Sequence, residues 1–325
     1  MARVLSGIQP SGEVHLGNHL GAIRRWVDEQ RAEHHFCIVD LHAMTVAYQP
    51  EQLREATLEM AAWLLAAGLD PQRCTLFVQS HVREHSELAW VLTCITGIGE
   101  LQRMTQFKEK AAAQELIGAG LLTYPVLQAA DILLYHAEEV PVGEDQRQHL
   151  ELTRDLAERF NHRFGELLTV PRATFPPAAA RVMDLQHPER KMSKSADSPA
   201  GTIRLADDER TTERKIMRAV TDSGDEIRAD EAKPGVRNLL EILSAASGEP
   251  VADLERRLAG SGYGALKREV AEAVNELLRP IRRRHDELRD DPAEIRRALE
   301  VGAERARSVA QGTMDGVREA VGQLV

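Results

Sequence analysis

Cysteine is scarce in this chain: three in 325 residues. Cys37, Cys74 and Cys94 stand far apart and form no C-x-x-C pair. That spacing argues against a disulfide framework and offers no zinc or iron–sulfur signature, so no metal-ligating set is expected. Also missing is any apolar run near the ~18 residues of a membrane span, and there is no internal repeat or low-complexity tract. Met1-Ala2-Arg3-Val4-Leu5 leads into a strand-like run, so a signal peptide is not expected. A reducing, cytoplasmic location follows as an expectation.

Lysine is scarce too. Only seven of the 41 basic residues are lysine, so arginine serves wherever a generic surface cation will do. A compact ammonium on a flexible stem is not interchangeable with a guanidinium fork. Four of the seven cluster in two places, Lys108 and Lys110, and Lys191-Met192-Ser193-Lys194-Ser195. The net charge of −10 disfavours general attraction to nucleic acid, whose binding rests on Lys and Arg neutralising phosphates. An RNA partner therefore needs a local basic surface. Arg279, Arg282, Arg283 and Arg284 offer one candidate. The alternative is a solvated helix face balanced by Glu276, Asp286 and Glu287.

What is present is an ordinary globular composition, 43% hydrophobic and 28% charged, in a chain long enough for two domains. Residues 3–7, 36–39 and 75–78 read as buried parallel strands, with a helix from Gly17 towards Gln30 and another opening after Pro50. A helix over 122–136, a short strand over 139–142 and a helix after the turn Gly143-Glu144-Asp145-Gln146 continue the rhythm. Residues 181–185 read as a final strand. Beyond Asp197 strand-like runs give way to helices at 239–246, 251–258 and 266–278. The fold class is α/β, a parallel-sheet domain over 1–190 and a helical region after it.

Ligands of open α/β sheets lie beyond the carboxyl ends of the strands. Gln9-Pro10-Ser11-Gly12, followed by His15-Leu16-Gly17-Asn18, falls where a strand hands over to a helix, a geometry that holds phosphates on backbone N–H groups. The lysine segment puts two ammonium groups three residues apart in a small-residue loop, suited to a polyphosphate. Asp145 by itself is equally a helix N-cap. On the apolar helix, Tyr124, Gln128 and Asp131 share one face. A buried carboxylate there needs a partner, and an indole, which has one N–H donor and no acceptor, is its natural complement.

These blocks, together with Met104-Thr105-Gln106-Phe107-Lys108-Glu109-Lys110, Thr123-Tyr124-Pro125 and Ala129-Ala130-Asp131-Ile132-Leu133, closely resemble class I aminoacyl-tRNA synthetases. The likeness is specifically to the bacterial-type tryptophanyl-tRNA synthetases and extends over essentially the whole chain. It implies a Rossmann-type catalytic domain over 1–190, a mobile loop over 191–200 and a helical anticodon-binding domain over 201–300. It also implies a C-terminal helix over 301–325 returning to the catalytic domain, and a homodimer. By the same resemblance, Gln9, Pro10, Ser11, Gly17 and Asn18 would hold ATP, with Gly143, Glu144 and Asp145 on the adenosine and Val182 presenting backbone to adenine. Lys110, Lys191 and Lys194 would serve the phosphates within the loop Lys191, Met192, Ser193, Lys194 and Ser195, with Mg2+ sharing the charge. Asp131 would read the indole, Tyr124 and Gln146 the ammonium, and His42 and Gln128 would complete the tryptophan pocket.

The implied reaction joins L-tryptophan and ATP as tryptophanyl-adenylate, releasing pyrophosphate, and then passes tryptophan to the terminal ribose of tRNA(Trp). Two departures from the family pattern stand out. Many relatives carry methionine at Gln128 and an aromatic at Leu5. Asn18 replaces the second histidine of the broader class I signature, as is familiar among tryptophan enzymes. The rival readings are the sister tyrosine enzyme and an auxiliary paralogue that binds tryptophan or adenylate for regulation.

Overall fold

The computed structural model describes residues 2–112, 117–143, 146–174, 182–193 and 199–324, with the side chains of 109–112 outside that description. Five parallel strands, β1 (Val4–Ile8), β2 (His34–Ile38), β3 (Thr75–Val78), β4 (Glu139–Pro141) and β5 (Arg172–Thr174), form one sheet in the order β3-β2-β1-β4-β5. Every residue of β2 and β3 is buried, as the continuous apolar runs of a sheet covered on both faces require. From β1 the chain winds outward through β2 and β3, then returns to β4 on the other side. The switch point of the sheet is therefore the junction of β1 and β4. There β1 pairs with β2 along five residues but with β4 only at Val4–Glu139. The two strands part towards their carboxyl ends and open a crevice.

Helices cover both faces. The helix after β1 runs as Leu16–Asn18, a π-helical turn at His19–Ile23, and Arg24–Glu29. Pro50–Ala66 starts with its proline in the first turn, where a missing N–H costs nothing. Ala119–Leu134 crosses the opposite face and is buried at Tyr124, Asp131 and seven apolar positions between Leu121 and Leu134, as well as at Pro125.

One expectation from sequence is corrected here. Residues 182–185 are no sheet strand, and Arg181 lies outside the described residues. Met183 makes only an isolated antiparallel bridge to Lys191. Its backbone N–H donates to Asn238 Oδ1 at 2.9 Å, and Asn238 Nδ2 donates back to its carbonyl at 3.0 Å. Met192 N donates to Val182 O at 3.0 Å and Asp184 N to Arg190 O at 2.9 Å. The segment thus folds on itself and on a helix side chain, which uses up the groups a sheet would need. The fifth strand is instead Arg172–Thr174, whose exposed Arg172 and half-buried Ala173 and Thr174 suit an edge.

After Gly201 the regular elements among the described residues are helices, chiefly Glu209–Met217, Pro234–Ser247, Gly262–Asp290 and Pro292–Val321. One hydrophobic cluster runs through Leu16, Phe36, Leu64 and Leu76 into Leu239, Leu243, Val274 and Leu278, so apolar packing joins the sheet to the helices after Gly201. A second cluster lies on the other sheet face and takes in Ala306, Ala310, Met314 and Val317 of the last helix. That helix lies along edge strand β3. A Cβ at Gly302 would collide with the Leu76 carbonyl, and Thr313 Oγ1 donates to Leu134 O at 2.8 Å.

Candidate active site

The parting of β1 and β4 opens into a cleft of about 1780 Å3. Its walls include Gln9, Gly17 and Asn18 from the first turn, Gly143 and Gln146 beyond β4, and Lys191, Met192 and Ser193 from the lysine segment. His42, Tyr124, Gln128 and Asp131 complete them. Twelve of the residues singled out from sequence are thereby brought to one space. Three are not. Pro10 is buried in the turn, Ser11 faces solvent beside the cleft, and buried Val182 spends its carbonyl on Met192. Glu144, Asp145, Lys194 and Ser195 lie outside the described residues, as does the side chain of Lys110.

The first turn is held by a reciprocal cap. His15 Nδ1 accepts from Asn18 N at 3.3 Å, and Asn18 Oδ1 accepts from His15 N at 3.2 Å, satisfying two N–H groups at the helix start. His15 Nδ1 accepts, so the neutral ring carries its proton on Nε2. Backbone bonds from Leu16 N to Ile203 O and from Leu205 N to Val14 O, at 2.8 and 2.9 Å, tie the same turn to the chain that leaves the lysine segment. Thr202 Oγ1 donates to Ser193 O. The two signatures form one structural unit.

Across the cleft, Asp131 is 3% exposed and already partnered. Its Oδ1 accepts from Gln79 Nε2 at 2.7 Å and from His85 Nδ1 at 2.6 Å, and its Oδ2 from His42 Nε2 at 2.8 Å. Burial opposes the ionised form, but the His42 and His85 hydrogen bonds outweigh it and hold the carboxyl well below the usual range. The sequence picture of a carboxylate waiting for a single donor is therefore revised: Asp131 is the hub of a network. Tyr124 OH donates to Gln106 Oε1 at 3.2 Å and lies 2.9 Å from His149 Nε2. Gln128 Nε2 approaches Gln146 Oε1 at 3.4 Å, so Gln128 joins two elements of the pocket wall.

Sequence reasoning missed Gln79, His85, Tyr135 and His149. A signal existed for Gln79, which directly follows β3 and so stands at a strand's carboxyl end, as Gln9 does after β1. His85, Tyr135 and His149 sit on helices or just beyond one, with no local pattern to mark them. The arginine group is no free basic patch. Arg279 pairs with Glu209 at 2.7 Å, Arg284 pairs with Glu287 and Glu294, and half-buried Arg282 donates to Leu205 O, Asn275 and Thr212.

The family model for tRNA synthetases class I (W and Y) matches residues 1–279. The chain belongs to this family. Curated relatives of this class I synthetase include tryptophan–tRNA ligase 2 of Streptomyces avermitilis, 55% identical over 99% of this chain and 97% of that protein. Another, the tryptophan–tRNA ligase of Mycobacterium leprae, is 54% identical over 99% of this chain and 97% of its own. Among solved structures, the tryptophanyl-tRNA synthetase of Mycoplasma pneumoniae superposes with a TM-score of 0.90 at 40% identity, covering 100% of this chain and 98% of that one. The Campylobacter jejuni enzyme, complexed with ADP and tryptophan, gives 0.86 at 37% identity, covering 98% of this chain and 99% of that one.

Proposed function

We propose that this protein is a tryptophan–tRNA ligase that activates L-tryptophan with ATP and transfers it to tRNA(Trp). The observation that carries the reading is the single cleft on which the first turn, the lysine segment and the Asp131 face converge, in a chain more than half identical to tryptophan–tRNA ligases along its length. Attack of the amino-acid carboxylate on the α-phosphate needs in-line positioning and positive charge where pyrophosphate departs, with little covalent help from protein. In this reading Gln9, Gly17 and Asn18 hold the nucleotide, and Lys110, Lys191 and Lys194 meet the departing charge. Glu144 and Asp145 contact the adenosine beside Gly143. Asp131 takes the indole N–H, while Tyr124 and Gln146 face the ammonium.

Mg2+ enters this reading only as the companion of the triphosphate. Among the described residues no group of three His, Cys, Asp or Glu is placed to hold a metal ion, and no step is assigned to one. The helical region over 201–300 is proposed to contact the anticodon. The homodimer is proposed from the resemblance, and exposed Trp90 and Ile98 offer it apolar surface. No helix among the described residues is long and apolar enough to cross a membrane. The three cysteines are free thiols, which suits a cytoplasmic location.

The test is ATP–pyrophosphate exchange with each amino acid in turn, followed by charging of tRNA(Trp). Tryptophan is expected to give the dominant exchange signal. A larger tyrosine signal would transfer the assignment to the sister activity, and exchange without charging would favour a regulatory paralogue.

A further inference from the structure

The hydrogen bonds on Asp131 are distributed unevenly. Each carboxylate oxygen has two lone pairs. Gln79 and His85 together fill those of Oδ1, whereas Oδ2 receives only His42 among the described residues. The two groups on Oδ1 lie behind the pocket: Gln79 and His85 are both fully buried, and neither lines the cleft. His42 and Asp131 do line it.

His85 is itself fixed from behind. Its Nε2 lies 2.8 Å from Tyr135 OH. Because Nδ1–H must donate to the carboxylate, the neutral ring accepts at Nε2 and the tyrosine hydroxyl donates to it. Burial pushes the Tyr135 hydroxyl well above its ordinary value, so that proton is retained. Tyr135 is in turn stacked on His35, with ring centroids 4.6 Å apart. The polarity of the chain is thus set: Tyr135 O–H to His85 Nε2, then His85 Nδ1–H to Asp131 Oδ1.

We propose that His85 is a positioning residue for tryptophan recognition: with Gln79 it commits Oδ1 of Asp131 to the interior and leaves Oδ2, beside His42, as the oxygen that reads the indole N–H. This rests on the tryptophan site proposed above. It adds that the acceptor is fixed in direction and kept acceptor-only by residues that never touch the substrate.

The titratable groups facing Asp131 are few. His42 follows β2 and Cys37 lies on it, while His85 comes from the helix Glu84–Thr93, whose Glu84 acts on Tyr135. Tyr135 closes the aspartate's own helix. Burial, then Asp131 itself, pushes the Cys37 thiol up, so it stays neutral. The help to the carboxylate therefore comes from the two histidine N–H hydrogen bonds. Without the His85 donor, burial regains weight and the Asp131 carboxyl takes up a proton more readily. A protonated Oδ2 would present O–H to an indole N–H, where a lone pair is needed.

The experiment compares His85→Gln with His85→Asn. An asparagine amide can occupy the Nδ1 position and still donate to Asp131, whereas a glutamine amide reaches towards Nε2 and does not. His85→Gln is expected to raise KM for tryptophan on the order of 10–100-fold, the loss of one hydrogen bond to a charged group. KM for ATP should stay within about twofold, since the nucleotide is held by other elements. The tryptophan KM of His85→Gln should climb further as pH falls from about 8 to about 5, more steeply than in wild type. His42 is present in both proteins, so the difference between their profiles isolates the loss of the His85 donor to Asp131. Wild type should prefer tryptophan over its analogue with sulfur replacing the indole nitrogen. His85→Gln should lose most of that preference and His85→Asn keep it.

A folded His85→Gln with wild-type KM, pH profile and analogue preference would overturn the inference. If neither variant folds, Tyr135→Phe is the second test. It removes only the hydroxyl behind His85, should raise KM for tryptophan several-fold with the same pH sense, and by leaving both unchanged would equally overturn it. Failure of wild type to prefer tryptophan in the amino-acid screen would instead remove the tryptophan reading, before any variant is made.

Discussion

Gly17, in the helix that follows the first strand, lies against Met192 of the lysine segment: a Cβ added to it would stand 3.5 Å from Met192 Cβ and 3.1 Å from the His15 ring. Met192 is fully buried, so the lysine segment is seated on the first turn through an apolar side chain. Lys191 is left to line the cleft. Gly17 needs no unusual φ. What requires glycine is the close approach of two segments.

Gly17→Ala should therefore lower ATP affinity although alanine is the better helix former. The new methyl group presses on the His15 ring that caps the helix. A roughly tenfold rise in KM for ATP, about 1.4 kcal/mol, is expected in pyrophosphate exchange, with KM for tryptophan little changed. Equal damage to both constants would mean a general loss of structure.

Lys194→Ala should slow adenylate formation by on the order of 10²–10³, as removal of one electrostatic contact to developing charge typically does. Tryptophan binding should be affected far less. Pre-steady-state activation is the measurement. Lys194→Arg should rescue only in part, because a planar fork cannot follow a point charge. Activation at the wild-type rate in Lys194→Ala would reduce the segment to a surface turn.

Acid sensitivity should come partly from buried histidines. Burial, with Arg24 adding to it, holds His19 at about 4; burial likewise brings His35 to about 4, against a backbone hydrogen bond to Glu33 that favours its charged form. A folded value below the unfolded one of about 6.5 gives stability that is present above pH 6.5 and lost as pH falls towards 4. Between pH 7 and pH 5 each should cost about 2 kcal/mol. His35→Phe keeps a ring to stack on Tyr135 and should flatten that slope in urea unfolding. An unchanged slope would show that His35 is not a source of it.

Gly302→Ala should destabilise the fold. Its methyl group would collide with the Leu76 carbonyl, a backbone atom of β3 that cannot swing away, so the last helix must shift at a typical cost of about 1–3 kcal/mol. A drop in Tm is expected. Because β3 leads straight into Gln79, which holds Asp131, a loss of tryptophan affinity should accompany it. A neutral Gly302→Ala would mean the helix is held away from the strand in solution.

Much was legible in the residues alone. The apolar runs of β2 and β3 declared buried parallel strands, because a strand covered on both faces has no polar side to show. Pro50 declared its helix start, and the spacing of Tyr124, Gln128 and Asp131 declared one face, since helical period is a local property. The first turn was equally local, its small residues, proline and histidine cap lying within ten positions. The segment 181–185 misled because a short apolar run does not say where its N–H and C=O groups will find partners. Here they found Asn238 and their own hairpin.

Tertiary structure alone decided the rest. Asp131 could be read as a buried acceptor, but not which oxygen faces the cleft. That depends on Gln79, His85 and His42, which three other segments deliver from 89, 52 and 46 positions away for His42, Gln79 and His85 respectively. Likewise the arginines of Gly262–Asp290 showed a charge pattern, but their commitment to Glu209, Glu287 and Glu294 followed from packing. Sequence determines what is governed by neighbours in the chain: backbone propensity, amphipathic period and turn chemistry. The direction of a lone pair and the pairing of a charge are set by atoms brought together only when the sheet and its helices close around them.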